Sequence, residues 1–160
     1  MNDSHFTLPA APPLVAMAQV RCDVGPIVTL GAAPYGERRY VALRGGTVVG
    51  SELSGEIVDG GVDWQIHRSD GVLDIAAHYV IRAGDGGLIE VTSNGMRHGP
   101  PDVMARLMRG DDVARGEYFF RTVMRFQTGA AAWLHLNRVM ALAFGARSAN
   151  QVLLDVYRVT

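Results

Sequence analysis

Turn signals arrive at short, even intervals along this chain. Asp59-Gly60-Gly61, Ser69-Asp70-Gly71 and Gly84-Asp85-Gly86-Gly87 each interrupt the sequence where a long helix would need continuity. The runs between such breaks read as strands: 14–22, 25–30, 38–43, 46–58, 62–67, 72–82, 87–94, 117–127, 134–144 and 150–159. Many short strands joined by Gly and Asp turns predict an all-β fold, an antiparallel β-barrel of roughly eight to ten strands. One stretch reads clearly as helix, Pro101–Arg109 in "HGPPDVMARLMRG". Two prolines open it, Asp102 favours its positive end and Gly110 can close it, so one short helix sits in a loop. Residues 134–144, "LHLNRVMALAF", have helical propensity, and only the strand-rich context argues for a strand. Residues 1–13, broken by Pro9, Pro12 and Pro13, read as a flexible arm, and 14–160 as a single barrel domain.

Alternation assigns faces. In "GGVDWQIHRSDG", Val62, Trp64 and Ile66 point one way, and Asp63, Gln65 and His67 the other. A carboxylate beside a tryptophan in mid-strand fits a solvated face or a lined pocket. The pocket is the sharper expectation, and it makes Asp63 a general acid or base. In 117–127, Arg121 shares a face with Phe119 and Val123, where it either snorkels outward or holds an anion. In 134–144, His135 and Asn137 share a face with Val139, Ala141 and Ala143, and small residues beside isolated polar groups leave room for a ligand.

Several chemistries are excluded. All fifteen basic residues are arginine, which removes Schiff-base lysine and P-loop chemistry. Cys22 is the only cysteine, so there is no intrachain disulfide and no multi-cysteine zinc site. His5, His67, His78, His98 and His135 lack metal-ligand spacing, and no metal is expected. The glycine pairs lack a dinucleotide fingerprint, and no cofactor is expected. A net charge of −1 with dispersed arginines argues against nucleic acid, and no apolar run approaches a membrane span. A cytoplasmic location and a hydrophobic small-molecule partner follow as defaults, with a homo-oligomer left open.

The segments "GERRYVALRGGTVVG", "LSGEIVDGGVDWQ", "HYVIRAGDGGLI", "NGMRHGPP", "YFFRT", "FQTGAAAWLHLNR" and "VLLDVYRV" together resemble the bacterial and fungal family called domain of unknown function 3237. The likeness spans residues 14–159 and rests on order and spacing. It implies an antiparallel barrel with a short loop helix, at most a ligand cavity, and no established activity. Family-like positions include Gly46, Gly55, Gly61, Asp63, Trp64, Tyr79, Asp85, Gly86, Gly99, Phe120, Arg121, Thr122, Gly129 and Asn137. Gln127, Trp133 and His135 depart from the family pattern, which has Glu, Tyr and Trp there.

The expected function is a cofactor-free proton-transfer enzyme, an isomerase, cyclase or dehydratase, acting on a hydrophobic carbonyl compound. Asp63 would move the proton, with Arg121 as its ion-pair partner. Arg121 and Asn137 would hold the oxyanion, and His135 would add a titratable group. Trp64, Tyr79, His78, Phe126 and Trp133 would contact the ligand. The alternative is a non-catalytic carrier or sensor of a hydrophobic molecule.

Overall fold

Strands joined by tight turns pair with their sequence neighbours, because closing a short loop costs little entropy. The computed structural model, which describes residues 8–160, follows this rule almost throughout. Its elements are β1 (Leu14–Ala33), β2 (Gly36–Val49), β3 (Gly55–Ile57), β4 (Gly61–His67), β5 (Leu73–Ala83), β6 (Leu88–His98), α1 (Pro101–Arg109), β7 (Phe119–Gln127), β8 (Met140–Arg147) and β9 (Gln151–Val159). Short 3-10 segments span Arg115–Glu117 and Ala131–Arg138. Residues 1–7 of the expected arm lie outside the described residues.

All pairings are antiparallel, and they close a ring. β3 and β4 share one slot end to end, both lying between β2 and β5. β9 returns to β1, with Leu14 opposite Val159 and Asp23 opposite Gln151. The runs 14–22 and 25–30 are one long strand. Its register with β2 shifts around Gly25 and Pro26, where Pro26 has no N–H for the ladder and a bulge accommodates it. α1 has the bounds read from sequence, and the backbone N–H of Gly110, in a left-handed conformation, bonds back to Leu107.

Residues 134–144 are not one strand. Ala131–Arg138 form the longer 3-10 segment, and β8 begins only at Met140. Helical propensity won here, favoured by Ala130, Ala131 and Ala132. The face attributed to His135 and Asn137 therefore does not exist.

The interior is graded from end to end. Along β6 the inward residues run Ile89, Val91, Ser93, Gly95, Arg97, and along β2 they run from Leu43 through Val41 to Arg39. Fully buried Leu136, from the longer 3-10 segment, joins the apolar core at one end. α1 lies at the other end, between the C-terminus of β6 and the N-terminus of β7, and there the buried residues become polar: Arg39, Gln65 and Arg97.

Candidate active site at the helix-capped end of the barrel

β4 carries the central group. Asp63 and Gln65 turn inward, while Trp64 is on the outer face and 39 % exposed. Trp64 packs there against Tyr40, its cross-strand partner, and under the Arg38 guanidinium. The tryptophan covers the outside of the strand whose inside presents the carboxylate, and it does not line the interior.

Asp63 has one side-chain hydrogen bond: Gln65 Nε2 donates to Oδ2 at 2.6 Å. Gln65 Oε1 in turn accepts from Arg39 Nε at 2.9 Å, which fixes the amide orientation. Asp63 Oδ1 is shut off from solvent and has no partner among the described residues. Burial pushes the carboxyl up to about 6, against the opposing pull of the Gln65 hydrogen bond, of Arg97, of the nearby Ala76 backbone N–H and of Arg147.

Asp63 borders an interior space of about 50 Å³, shared with Cys22, Tyr79, Ser93, Phe120 and Thr122. The Tyr79 hydroxyl is also buried without a partner among the described residues, and burial holds it well above the usual phenol range. Ser93 donates to Thr122 at 2.8 Å, so those two hydroxyls satisfy each other. The Cys22 thiol is pushed up to about 12, mainly by burial. It is a protonated core residue with no nucleophilic character near neutral pH.

The interior space has the size of one or two water molecules. Room for a ligand lies outside it, on either side of α1. One cleft, of about 550 Å³, runs past Arg39, His67, His98, Pro101 and Met104. The other, of about 450 Å³, lies between α1 and the β1 bulge and is bordered by Arg97 and Arg147. Between this second cleft and the interior, Arg97 stacks its guanidinium over the Phe120 ring at 5.7 Å. Gly145 makes room for that ring, since a Cβ there would lie 2.4 Å from Phe120 Cδ1.

Most of the other expected site residues lie elsewhere. Arg121 does not reach Asp63. It sits on the outer side of β7, over the rings of Phe144 at 4.3 Å and Phe119 at 5.2 Å, and donates to the Phe120 carbonyl. The inward face of β7 belongs to Phe120, Thr122, Met124 and Phe126. Phe126 is core and does not border the Asp63 space. His78 is exposed on the outer face of β5, where it bonds Glu90 at 2.6 Å. His135 and Trp133 belong to the 3-10 segment at the far end, and the Trp133 indole donates to the Asp85 carboxylate at 3.0 Å. Of the expected set, the interior space brings together Asp63 and Tyr79 alone.

Asn137 is a loop fastener. Its Oδ1 accepts from Thr128 N, and its Nδ2 donates to the carbonyls of Thr128 and Leu134. Asn137→Leu should therefore cost about 1–2 kcal/mol of stability, because three largely exposed backbone hydrogen bonds are lost. Thermal melts would check this, and an unchanged melting temperature would contradict the fastening role.

The family model described as "Protein of unknown function (DUF3237)" matches residues 12–159. The chain belongs to this family. A curated relative, a UPF0311 protein of Bradyrhizobium diazoefficiens, is 35 % identical over 140 residues, covering 88 % of this chain and 91 % of the relative. A solved structure from Acinetobacter baumannii, described as a beta-barrel like protein, is 32 % identical. It superposes with a TM-score of 0.83 over 96 % of this chain and 99 % of that one. The structure of an enzyme from Penicillium herquei shares the fold, at 20 % identity and a TM-score of 0.73, covering 97 % and 99 % of the two chains.

Sequence reasoning missed four polar residues of this DUF3237 barrel: Arg39, Gln65, Arg97 and Arg147. Gln65 was available from the same alternation that places Asp63. The run assigned to β6 stopped at 94, and extending it to His98 puts Arg97 in phase with Ile89, Val91 and Ser93. Among the described residues, no three of His, Cys, Asp or Glu come together in a way that could hold a metal ion. No helix among them is long and apolar enough to cross a membrane.

Proposed function

We infer that this barrel is a cofactor-free proton-transfer enzyme of isomerase, cyclase or dehydratase type, acting on a hydrophobic carbonyl compound. The observation that carries the reading is the Asp63 carboxylate, buried with Oδ1 unpartnered and poised at about 6. A general base is most effective when it titrates near the working pH.

The chemistry follows from two unpartnered atoms on one small space. Asp63 Oδ1 takes a proton from the carbon beside the carbonyl, while Gln65 steadies Oδ2. The Tyr79 hydroxyl, kept protonated by burial, donates to the developing enolate oxygen. Returning the proton to a different atom completes an isomerisation; in a ring closure the enolate carbon would attack a second carbonyl carbon of the substrate, and the proton would go to the alkoxide so formed. In this reading Tyr79 takes the oxyanion role expected of Arg121 and Asn137. Only the carbonyl and its neighbouring carbon would enter the interior, and the body of the molecule would stay in a cleft beside α1. The Penicillium herquei enzyme is compatible with this reading, but at that identity it speaks for the fold alone.

Deuterium exchange at the α-carbons of a phenyl-substituted alkyl ketone such as 4-phenyl-2-butanone in D₂O, followed by NMR, tests the proposal. The wild-type chain should accelerate exchange, with a rate that climbs as pH rises through about 6. Asp63→Asn should lower the rate roughly 100-fold or more. An Asp63→Asn variant as fast as wild type would remove Asp63 from the mechanism. Saturable binding of the ketone without exchange would favour the carrier reading, which the ligand-sized clefts also suit.

A further inference from the structure

Among the described residues, the cleft between α1 and the β1 bulge is bordered by three arginines and by no carboxylate. Arg109 is accounted for by Asp111 at 2.8 Å. Arg147 makes one long side-chain contact, from Nη2 to the Ala149 carbonyl at 3.4 Å. Arg97 is 6 % exposed, and its Nε is shut off from solvent with no acceptor among the described residues. A guanidinium presents five N–H donors, and burying one without oxygens to receive them is costly. The acid inside the barrel offsets only part of this charge. Asp63 is one carboxylate near Arg39, Arg97 and Arg147, and its side-chain hydrogen bond is with Gln65 and not with any of the three. Burial, with Arg147 and Arg39 nearby, lowers Arg97 to about 10, so it still carries its charge at neutral pH. The remainder of the wall includes apolar Val24, Pro26, Ile27, Leu107 and Met108.

We propose that this cleft binds the carboxylate of a small organic acid, held by Arg97 and Arg147, with the apolar body of the acid against Val24, Ile27 and Leu107. A planar guanidinium matches the two oxygens of a carboxylate, and about 450 Å³ suits a molecule of that size. The β1 bulge supplies one wall, in keeping with the tendency of bulges to lie at barrel rims beside binding sites. This deepens the proposed function by naming the substrate class, and it rests on that reading only in treating the bound acid as substrate.

NMR titration with 3-phenylpropionate, and with the matched neutral 3-phenylpropionamide, tests it. The acid should bind saturably and the amide roughly ten-fold or more weakly. Arg97→Met and Arg147→Gln should each weaken acid binding by roughly ten-fold or more, with melting curves confirming folded protein. Arg147→Gln keeps the test valid if Arg97→Met does not fold. Asp63→Asn should bind the acid as tightly as wild type or tighter, so a failure of proton transfer is read separately from a failure of binding. No saturable binding of the acid, equal binding of the amide, or unchanged affinity in both folded arginine variants would overturn the proposal. Displacement of the acid by equimolar inorganic phosphate would overturn its assignment to organic acids.

Discussion

Asp63→Asn should raise the melting temperature at pH 7 and leave it almost unchanged at pH 4. An aspartate in the unfolded chain titrates near 3.8, and Asp63 in the barrel near 6. The folded state therefore holds its proton to higher pH than the unfolded state. Stability contributed at this position is intact below about 4, falls as pH rises through about 6, and is fully lost above that. A separation of roughly two pH units corresponds to about 3 kcal/mol. For a chain of this length, that is roughly 6–12 °C in melting temperature. Arg97 and Arg147 attract the ionised form, but burial outweighs them and sets the sign. Asparagine keeps the shape and removes the charge. Melting curves at pH 4, 6 and 8 would check it. A gain of the same size at pH 4 and pH 8 would mean that the carboxylate is not held at a cost.

Gln65→Leu should act in the opposite direction. Gln65 is 6 % exposed and satisfies two charged groups at once, Asp63 through Nε2 and Arg39 through Oε1. Leucine leaves both without that partner. Each orphaned buried group costs about 1–3 kcal/mol or more, so a loss of about 2–5 kcal/mol is expected. The pH dependence separates the two parts. The Gln65 hydrogen bond lowers the Asp63 value, so its removal lifts that value further above 6. The stability deficit should then be larger at pH 8 than at pH 4, where Asp63 is protonated and only the stranded Arg39 remains. Carboxyl carbon shifts of Asp63 would report the titration directly. A deficit independent of pH, or an Asp63 midpoint that does not rise, would show that the amide does not steady the carboxylate.

The sequence was most readable where one local rule had no competitor. "VDWQI" alternates cleanly, and the side that takes Asp63 inward also takes Gln65, because Val62, Trp64 and Ile66 share the opposite side. α1 was bounded by its prolines and Gly110. In "FFRTVMRFQ" both faces are apolar enough to be buried, and alternation alone cannot say which one is. The distinguishing sign was Arg125, in phase with Arg121: two charges on one face mark the outside. In "AAWLHLNR" strand alternation gives Asn137 and His135 a shared pocket face, whereas the segment winds as a 3-10 helix and has no such face. Arg39, Arg97 and Arg147 sit on β2, β6 and β8, and nothing local links them. Their meeting is a product of ring closure.

That closure has a cost in time. β1 and β9 are zipped along their length, and a contact such as Gln19 with Asp155 joins residues 136 positions apart. During synthesis β1 emerges early and has β2 on one side, but its other edge stays unsatisfied until β9 leaves the ribosome. Pairing over such a span is slow, because a long loop must be closed before any contact repays it. For that interval the nascent chain carries an open β edge, a template for association with other chains. The barrel that shelters Asp63 is thus a late event in folding, and its folding yield should depend on how long that edge is left uncovered.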